Sequence, residues 1–289
     1  MKSASSGLFC GVFLGWFRSL SFGLLLGAAL AGPALAHDTW FVPKATTDRG
    51  ERLFALGTGT MFPQQDVPVS LKQLQSSGCR GEGQRAAPMR WVADAPAALM
   101  LRSARPVPLA VALTCWAQLI PIDIEIDDPT VEIYLKEINA LPAVRERWES
   151  LRARGIRWQE SYVKHARIEV DGEGAPAAAA AAAGAAPIEG LGMDLRLETP
   201  QRPLRAGDTL RFQLLRDGKP LAGLPLELRS DLSPIGLWRT TDAEGRVELA
   251  VPLAGRWLLR GTDVRPSTQN PDRWESRFVT LAFEVLKKP

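Results

Sequence analysis

Two histidines are the residues of this sequence that point most directly to chemistry. The chain contains only His37 and His165. His37 follows Ala34-Leu35-Ala36, where small residues stand at the two positions that define a signal-peptidase site. Cleavage after Ala36 would give His37 a free α-amine beside its imidazole, and these two nitrogens can chelate one copper or nickel ion. We therefore expect His37 to be a metal ligand and His165 to be the candidate third nitrogen donor.

Residues 1–36 have the composition of a cleaved export signal. Lys2 and Arg18 are its basic residues, and the apolar stretch at residues 20–31 is shorter than the ~20 residues that a membrane-spanning helix needs. The mature chain is thus predicted to begin at His37, to reside in the periplasm and not to span the membrane. Loss of Lys2 and Arg18 lowers the formal net charge from +3 to +1 (3 − 2 = 1). This balance argues against nucleic acid as a partner.

Each candidate ligand has a simpler structural interpretation. An imidazole at the new N-terminus can just pack or form hydrogen bonds, and His165 can be a half-buried strand histidine. Methionine thioethers suit Cu(I), yet single methionines usually fill gaps in a core. Carboxylates can add oxygen ligands, although clustered acids often solvate a strand end and cap a helix. The additional candidates are Met61, Met89, Asp66, Asp94 and the acidic cluster Asp123, Glu125, Asp127 and Asp128.

The cysteine count changes with cleavage. Cys10 leaves with the predicted leader, so Cys79 and Cys115 remain. An even pair in an exported protein favours one disulfide over a thiolate metal site. We predict a Cys79–Cys115 bridge.

No catalytic template is present in the sequence, so we expect a protein that is not an enzyme. It has no Gly-x-Ser-x-Gly turn, no Walker loop and no His-Glu-x-x-His pair. A copper monooxygenase also uses an N-terminal histidine, but it usually needs a second histidine close by and a flat substrate face. Nine tryptophans, eight of them after residue 36, keep carbohydrate binding open as an alternative.

The elements that must position these residues are mostly β-strands, and the predicted architecture is two β-sandwich-like domains. Residues 37–170 form the first, with a short helical insert that begins at Asp128-Pro129 and continues in a second helix at residues 142–154. Residues 171–187, rich in Ala, Gly and Pro, are predicted to be a linker or loop. Residues 188–289 form the second domain, an immunoglobulin- or prealbumin-like sandwich of about seven short strands.

The predicted strands have partly alternating polarity and end at turn signals. In the first domain they are residues 39–43, 51–58, 89–93, 97–102, 109–118 and 158–170. In the second domain they are residues 193–197, 209–215, 224–229, 236–241, 246–251, 255–261 and 277–285.

The order and spacing of several segments resemble an exported family, domain-of-unknown-function family 4198. The segments are residues 37–43 (HDTWFVP), 134–137 (YLKE), 157–166 (RWQESYVKHA), 217–223 (DGKPLAG), 241–246 (TDAEGR), 255–258 (GRWL) and 274–276 (WES) ahead of 281–283 (LAF). The resemblance implies two β-rich domains, periplasmic residence and handling of nickel or cobalt. Only His37 carries over as a metal ligand.

The resulting prediction is a periplasmic metal-binding accessory protein. It would bind Ni²⁺, Co²⁺ or copper through His37, with His165 as third ligand, and pass the metal to a membrane transporter. Affinity should fall below about pH 6 because the imidazole must be neutral. The alternative is a non-catalytic envelope β-module that binds a protein or a carbohydrate.

Overall fold

The computed structural model describes residues 37–81, 84–172, 186–199 and 203–289. The predicted signal peptide at residues 1–36 lies outside the described residues, as do residues 173–185 of the predicted linker. The described residues belong to one compact unit.

The described elements are mainly strands, with two α-helices and a short 3₁₀ helix at Leu71–Gln73. The helices are α1 (Asp128–Glu137) and α2 (Pro142–Ala153). The strands are β1 (Asp38–Lys44), β2 (Leu53–Gly59), β3 (Val67–Pro68), β4 (Leu74–Gly81), β5 (Ala87–Pro88), β6 (Arg90–Ala95), β7 (Ala98–Arg102), β8 (Leu113–Leu119), β9 (Ile122–Ile126), β10 (Trp158–Val170), β11 (Met193–Leu197), β12 (Thr209–Arg216), β13 (Lys219–Pro220), β14 (Pro225–Ser230), β15 (Ser233–Thr240), β16 (Arg246–Ala250), β17 (Gly255–Pro266) and β18 (Trp274–Val285).

The described strands form three sheets. The central sheet has the order β15-β14-β17-β18-β10-β8-β4-β5, and β9 pairs with the first half of β10. A smaller sheet has the order β1-β2-β7-β6 with β3 beside β2, and a third contains β11-β12-β13 with β16 beside β12. Strands β10 and β18 run parallel, whereas their other pairings are antiparallel.

The middle parts of strands β17 and β18 in the central sheet are buried on both faces, and their alternating side chains enter two different cores. Leu258 and Ala282 pack in a core with the β1 sheet, and their neighbours Leu259 and Leu281 pack in a core with the β11 sheet. This sheet-on-sheet packing confirms the prediction of a mostly β, sandwich-like fold with a short helical insert. The two predicted domains nevertheless share a sheet, since β10 comes before residues 171–187 and its partner β18 comes after them.

The two helices cover one end of the central sheet. Trp148 of α2 and Trp158 of β10 are both fully buried, with ring centroids 5.4 Å apart. The N-cap of α1 is Asp127, whose side chain accepts a hydrogen bond from the backbone N–H of Thr130. The helix predicted to begin at Asp128-Pro129 does begin at Asp128, with its acidic N-cap one residue earlier and Pro129 in its first turn.

The structure also bears on the predicted disulfide and on the prediction that the mature chain does not span the membrane. Cys79 and Cys115 face each other on neighbouring strands β4 and β8 and form the predicted disulfide. In the described part of the chain, no helix has the length and apolar character needed to cross a membrane.

Candidate functional site

Residues 37 to 39 are fastened to three different strands of the central sheet. The Lys164 Nζ of β10 donates to the carbonyl oxygen of His37 at 2.7 Å. The carboxylate of Asp38 pairs with Arg260 of β17 at 2.5 Å, and the carbonyl oxygen of Thr39 accepts from the Thr280 hydroxyl of β18 at 2.6 Å. The backbone around His37 is therefore held in one place on the sheet.

The Asp38–Arg260 pair belongs to a buried ionic network. The Arg260 guanidinium also pairs with Glu227 at 2.7 Å and donates to the carbonyl oxygen of Glu137 at 2.9 Å. The side chains of Arg260, Asp38 and Glu227 are each 5–6% exposed. Burial works against the charged form, but the two carboxylates outweigh it and raise the pKa of Arg260. A buried cation paired this way fixes the start of β1, because separating the charges would leave them unpaired in the interior.

A cavity of about 240 Å³ lies beside His37. Its walls are mostly apolar, with a few polar groups that converge on the space, which is the usual character of a small-molecule pocket. The exposed residues Val67 and Pro68 lie at its solvent side. The lining residues are His37, Thr58, Val67, Pro68, Val69, Gln73, Leu119, Ile122, Ile124, Ile126, Tyr134, Glu160, Tyr162, Lys164 and Phe278.

The sequence pattern of two neighbouring strands explains these walls. Residues of β10 alternate between the two faces of the sheet, so Glu160, Tyr162 and Lys164 point to the cavity side. Strand β9 reads Ile-Asp-Ile-Glu-Ile, and its three isoleucines line the cavity while its two acids are exposed.

Lys164 brings an ammonium group to this largely apolar space. Its Nζ lies 5.3 Å from the ring centroid of Tyr162 and 5.9 Å from that of Phe278, distances at which a ring face attracts a cation. Desolvation lowers the pKa of Lys164 to about 8, and Asp38 opposes the shift. No described carboxylate forms an ion pair with it.

Glu160 lies on the same face of β10 and is 1% exposed. Its carboxylate accepts hydrogen bonds from the Tyr134 hydroxyl at 3.1 Å, from Trp158 Nε1 at 2.7 Å and from the Ser276 hydroxyl. Desolvation raises the pKa of Glu160, while these donors act to lower it. Burial of the Tyr134 hydroxyl likewise raises the pKa of Tyr134. Three uncharged donors thus form hydrogen bonds with the Glu160 carboxylate, and none of the three is a cation.

His37 itself is partly exposed at the edge of the cavity. Its pKa is lowered, first by desolvation and then by the charge of Lys164, whereas Asp66, Glu137 and Asp38 act in the opposite direction. The neutral imidazole is therefore the favoured form near pH 7, and this is the form that binds a metal ion.

His165 does not join this site. It follows Lys164 in β10, so its side chain points to the opposite face of the sheet, where it is 1% exposed. Its Nδ1 lies 3.0 Å from the carbonyl oxygen of Phe278, and its Nε2 has no hydrogen-bond partner among the described residues. Gly192 leaves room for this ring, since a Cβ there would lie 2.9 Å from Nε2. The expectation that His165 supplies a third ligand to the His37 site is corrected by this geometry.

The other candidate donors are scattered, apart from Asp66. Met61 is 64% exposed, and Met89 is buried in the core between the central and β1 sheets. Asp94 accepts a hydrogen bond from Trp91 on β6, remote in the sheet from β1. Asp66 is exposed and acts electrostatically on His37. Within the described ranges, no group of three or more His, Cys, Asp or Glu residues is arranged to hold a metal ion.

Sequence reasoning missed Lys164, Glu160 and Tyr134 as members of the site. One signal for the first two was available, because Glu160, Tyr162 and Lys164 occupy alternate positions of a predicted strand. Tyr134 lies on a helix, and nothing in its sequence context indicates that its hydroxyl meets Glu160.

Comparison with known protein families finds a match over part of the chain. The family model described as a domain of unknown function, DUF4198, matches residues 131–262. That span includes α2, β10, most of α1 and the first part of β17, and hence Tyr134, Glu160 and Lys164, but not His37. A search of curated proteins found no match.

Proposed function

We propose that this chain, whose residues 131–262 match the domain-of-unknown-function family DUF4198, is a periplasmic protein that binds a transition-metal ion at His37 as cargo. The mature N-terminus supplies the α-amine and the imidazole, and nickel, cobalt or copper is the metal class. A membrane transporter is the proposed recipient.

The fixed position of His37 at the edge of the cavity carries this proposal. Lys164 holds its carbonyl oxygen, and the buried Asp38–Arg260 pair holds the next residue. A chelate of two nitrogens on one residue gains affinity when its backbone is already ordered, since less conformational entropy is lost on binding.

The described residues around His37 supply some, but not all, of the ligands that a metal ion needs. Copper and nickel favour nitrogen ligands, and desolvation keeps the His37 imidazole neutral near pH 7. Asp66 is the described carboxylate with the largest electrostatic effect on this ring, so we assign it as a candidate oxygen ligand. His165 is excluded as a ligand because it lies on the other face of the sheet.

Calorimetric titration of the processed protein with Ni²⁺, Co²⁺ and Cu²⁺ tests this function. The protein must begin at His37, as checked by intact mass. A matched form with one added N-terminal alanine keeps the imidazole but displaces the α-amine. We expect micromolar or tighter binding by the processed form and at least a tenfold weaker Kd, about 1.4 kcal/mol, for the extended form.

Two substitutions sharpen the result. His37→Gln should abolish the binding that the processed protein shows, whereas His165→Gln should leave the Kd unchanged. Equal binding by the processed and extended forms, or loss of binding in His165→Gln with an unchanged melting temperature, would refute the terminal chelate.

The alternative function is a non-catalytic envelope module that binds a protein or a carbohydrate. It predicts that none of the three metals changes the heat signal or the melting temperature of the processed protein. The same titration therefore separates the two functions.

A further inference from the structure

The cavity beside His37 has a charge distribution that suits an organic ligand, independently of any metal. Its volume of about 240 Å³ is far more than a single water molecule needs. The isoleucines of β9 and the buried Val69 and Leu119 form apolar walls. Water gains few hydrogen bonds against such walls, so an apolar group is the better occupant.

Lys164 is the one lysine or arginine among the described lining residues. An ammonium has three N–H donors, and its hydrogen bonds among the described residues comprise the single contact with the carbonyl oxygen of His37. The rings of Tyr162 and Phe278 offer the cation attraction but no negative charge. Lys164 thus has donors and a charge available for an anion.

Glu160 does not supply that anion. It lies four residues from Lys164 along an extended strand, a separation of about 13 Å between their Cα atoms at ~3.3 Å per residue. Its carboxylate is already engaged by Tyr134, Trp158 and Ser276. The cavity therefore presents an unpaired cation at Lys164, close to His37, and apolar walls beyond it.

We propose that this cavity binds a small organic monocarboxylate. The carboxylate of the ligand pairs with Lys164 Nζ, and its apolar body, a branched aliphatic chain or a single aromatic ring, lies against Ile122, Ile124 and Val69. Tyr162 and Phe278 form the aromatic side of the site. Binding needs no metal, so the proposal goes beyond the function proposed above.

The test uses the processed protein with a metal chelator present. Benzoate and 4-methylpentanoate are titrated in the micromolar to millimolar range by calorimetry, and benzamide serves as the uncharged analogue of benzoate. We expect both carboxylates to bind and to raise the melting temperature, and benzamide to bind at least tenfold more weakly. Absence of binding by both carboxylates, or equal binding of benzoate and benzamide, would overturn the proposal.

Substitutions then locate the ligand. Lys164→Met removes the charge and keeps the apolar stem, so carboxylate affinity should fall at least tenfold, and Lys164→Arg should restore part of it. Ile124→Phe adds bulk to the cavity wall while leaving Lys164 in place, and it should also weaken binding. The matched control is Lys219→Met at an exposed strand position, which should bind benzoate like the unmodified protein.

Folding and metal binding are controlled separately. The melting temperature of each variant without ligand shows whether it folds. If Lys164→Met does not fold, Ile124→Phe still tests the site. Benzoate binding that is unchanged in both variants places the ligand elsewhere and refutes this site. Because the titrations contain a chelator, failure of carboxylate binding leaves the metal proposal standing, and failure of metal binding leaves this one standing.

Discussion

Replacing His165 by glutamine should remove a large part of the acid sensitivity of this protein. His165 is 1% exposed, and desolvation lowers its pKa from 6.5 to about 4. Arg277 lowers the pKa further, whereas the hydrogen bond to Phe278 and the charges of Asp217 and Asp194 act to raise it. The unfolded chain thus binds a proton near pH 6.5, and the folded chain does so only near pH 4.

The sign of the effect follows from this difference. Between pH 6.5 and pH 4 the unfolded state carries more protons, so the free energy of unfolding decreases as the pH falls. The contribution of His165 is fully present above pH 6.5 and is lost as the pH approaches 4. For a folded pKa of about 4, the loss between pH 7 and pH 4.5 is about 2.5 kcal/mol.

Urea unfolding followed by tryptophan fluorescence at pH 7 and pH 4.5 measures this loss. Carboxylates also titrate in this range, so the informative quantity is the difference between the unmodified protein and His165→Gln. Glutamine keeps a donor for the carbonyl oxygen of Phe278 but does not titrate. His37→Gln, in which the buried histidine is intact, should keep most of the acid sensitivity. An equal loss in the unmodified protein and in His165→Gln, within about 0.5 kcal/mol, would refute the reasoning.

Other substitutions test the contacts around the site by urea or thermal unfolding. Asp38→Ala should cost about 3 kcal/mol, because Arg260 loses one of its two buried carboxylates; a cost below about 1 kcal/mol would contradict that role. Replacing both Cys79 and Cys115 by serine opens a link between residues 36 positions apart and should cost about 4 kcal/mol, and an unchanged melting temperature would rule this out. Tyr134→Phe removes a donor to a buried carboxylate and should cost about 1–2 kcal/mol, whereas a more stable variant would count against the hydrogen bond.

Much of the secondary structure was predictable because its signals are local. Strand β10 at residues 158–170 and β11 at residues 193–197 have the predicted bounds, since alternation and flanking turns define them. Strand β9 was missed because its acids suggested a solvated strand end and a helix cap. Alternation in Ile122–Ile126 was the available signal.

The shared sheet was not predictable from local pattern. Strand β10 pairs with β18 more than a hundred residues later, and nothing in either strand specifies the other as its partner. The interruption at residues 171–187 instead suggested two separate domains. Pairing over such separations depends on the whole core, which composition and periodicity do not describe.

The candidate site was predictable only in part. His37 was found from its position relative to the predicted cleavage site, and the structure places it at the edge of the cavity. Lys164 and His165 are adjacent in sequence. The histidine was chosen as a candidate because the chain has only two histidines. Because side chains alternate along a strand, Lys164 points to the face of the sheet where His37 lies, and His165 points to the opposite face.

The attachment of Asp38 and Thr39 to the central sheet has a consequence for the order of folding. Asp38 contacts a residue 222 positions later, and Thr39 contacts one 241 positions later. Strand β1 must wait for strands β17 and β18, which are synthesised much later, and contacts of such long range form slowly. The pocket around His37 is therefore completed only after β18 is in place, so ligand binding there would report that the chain through β18 has been made and folded.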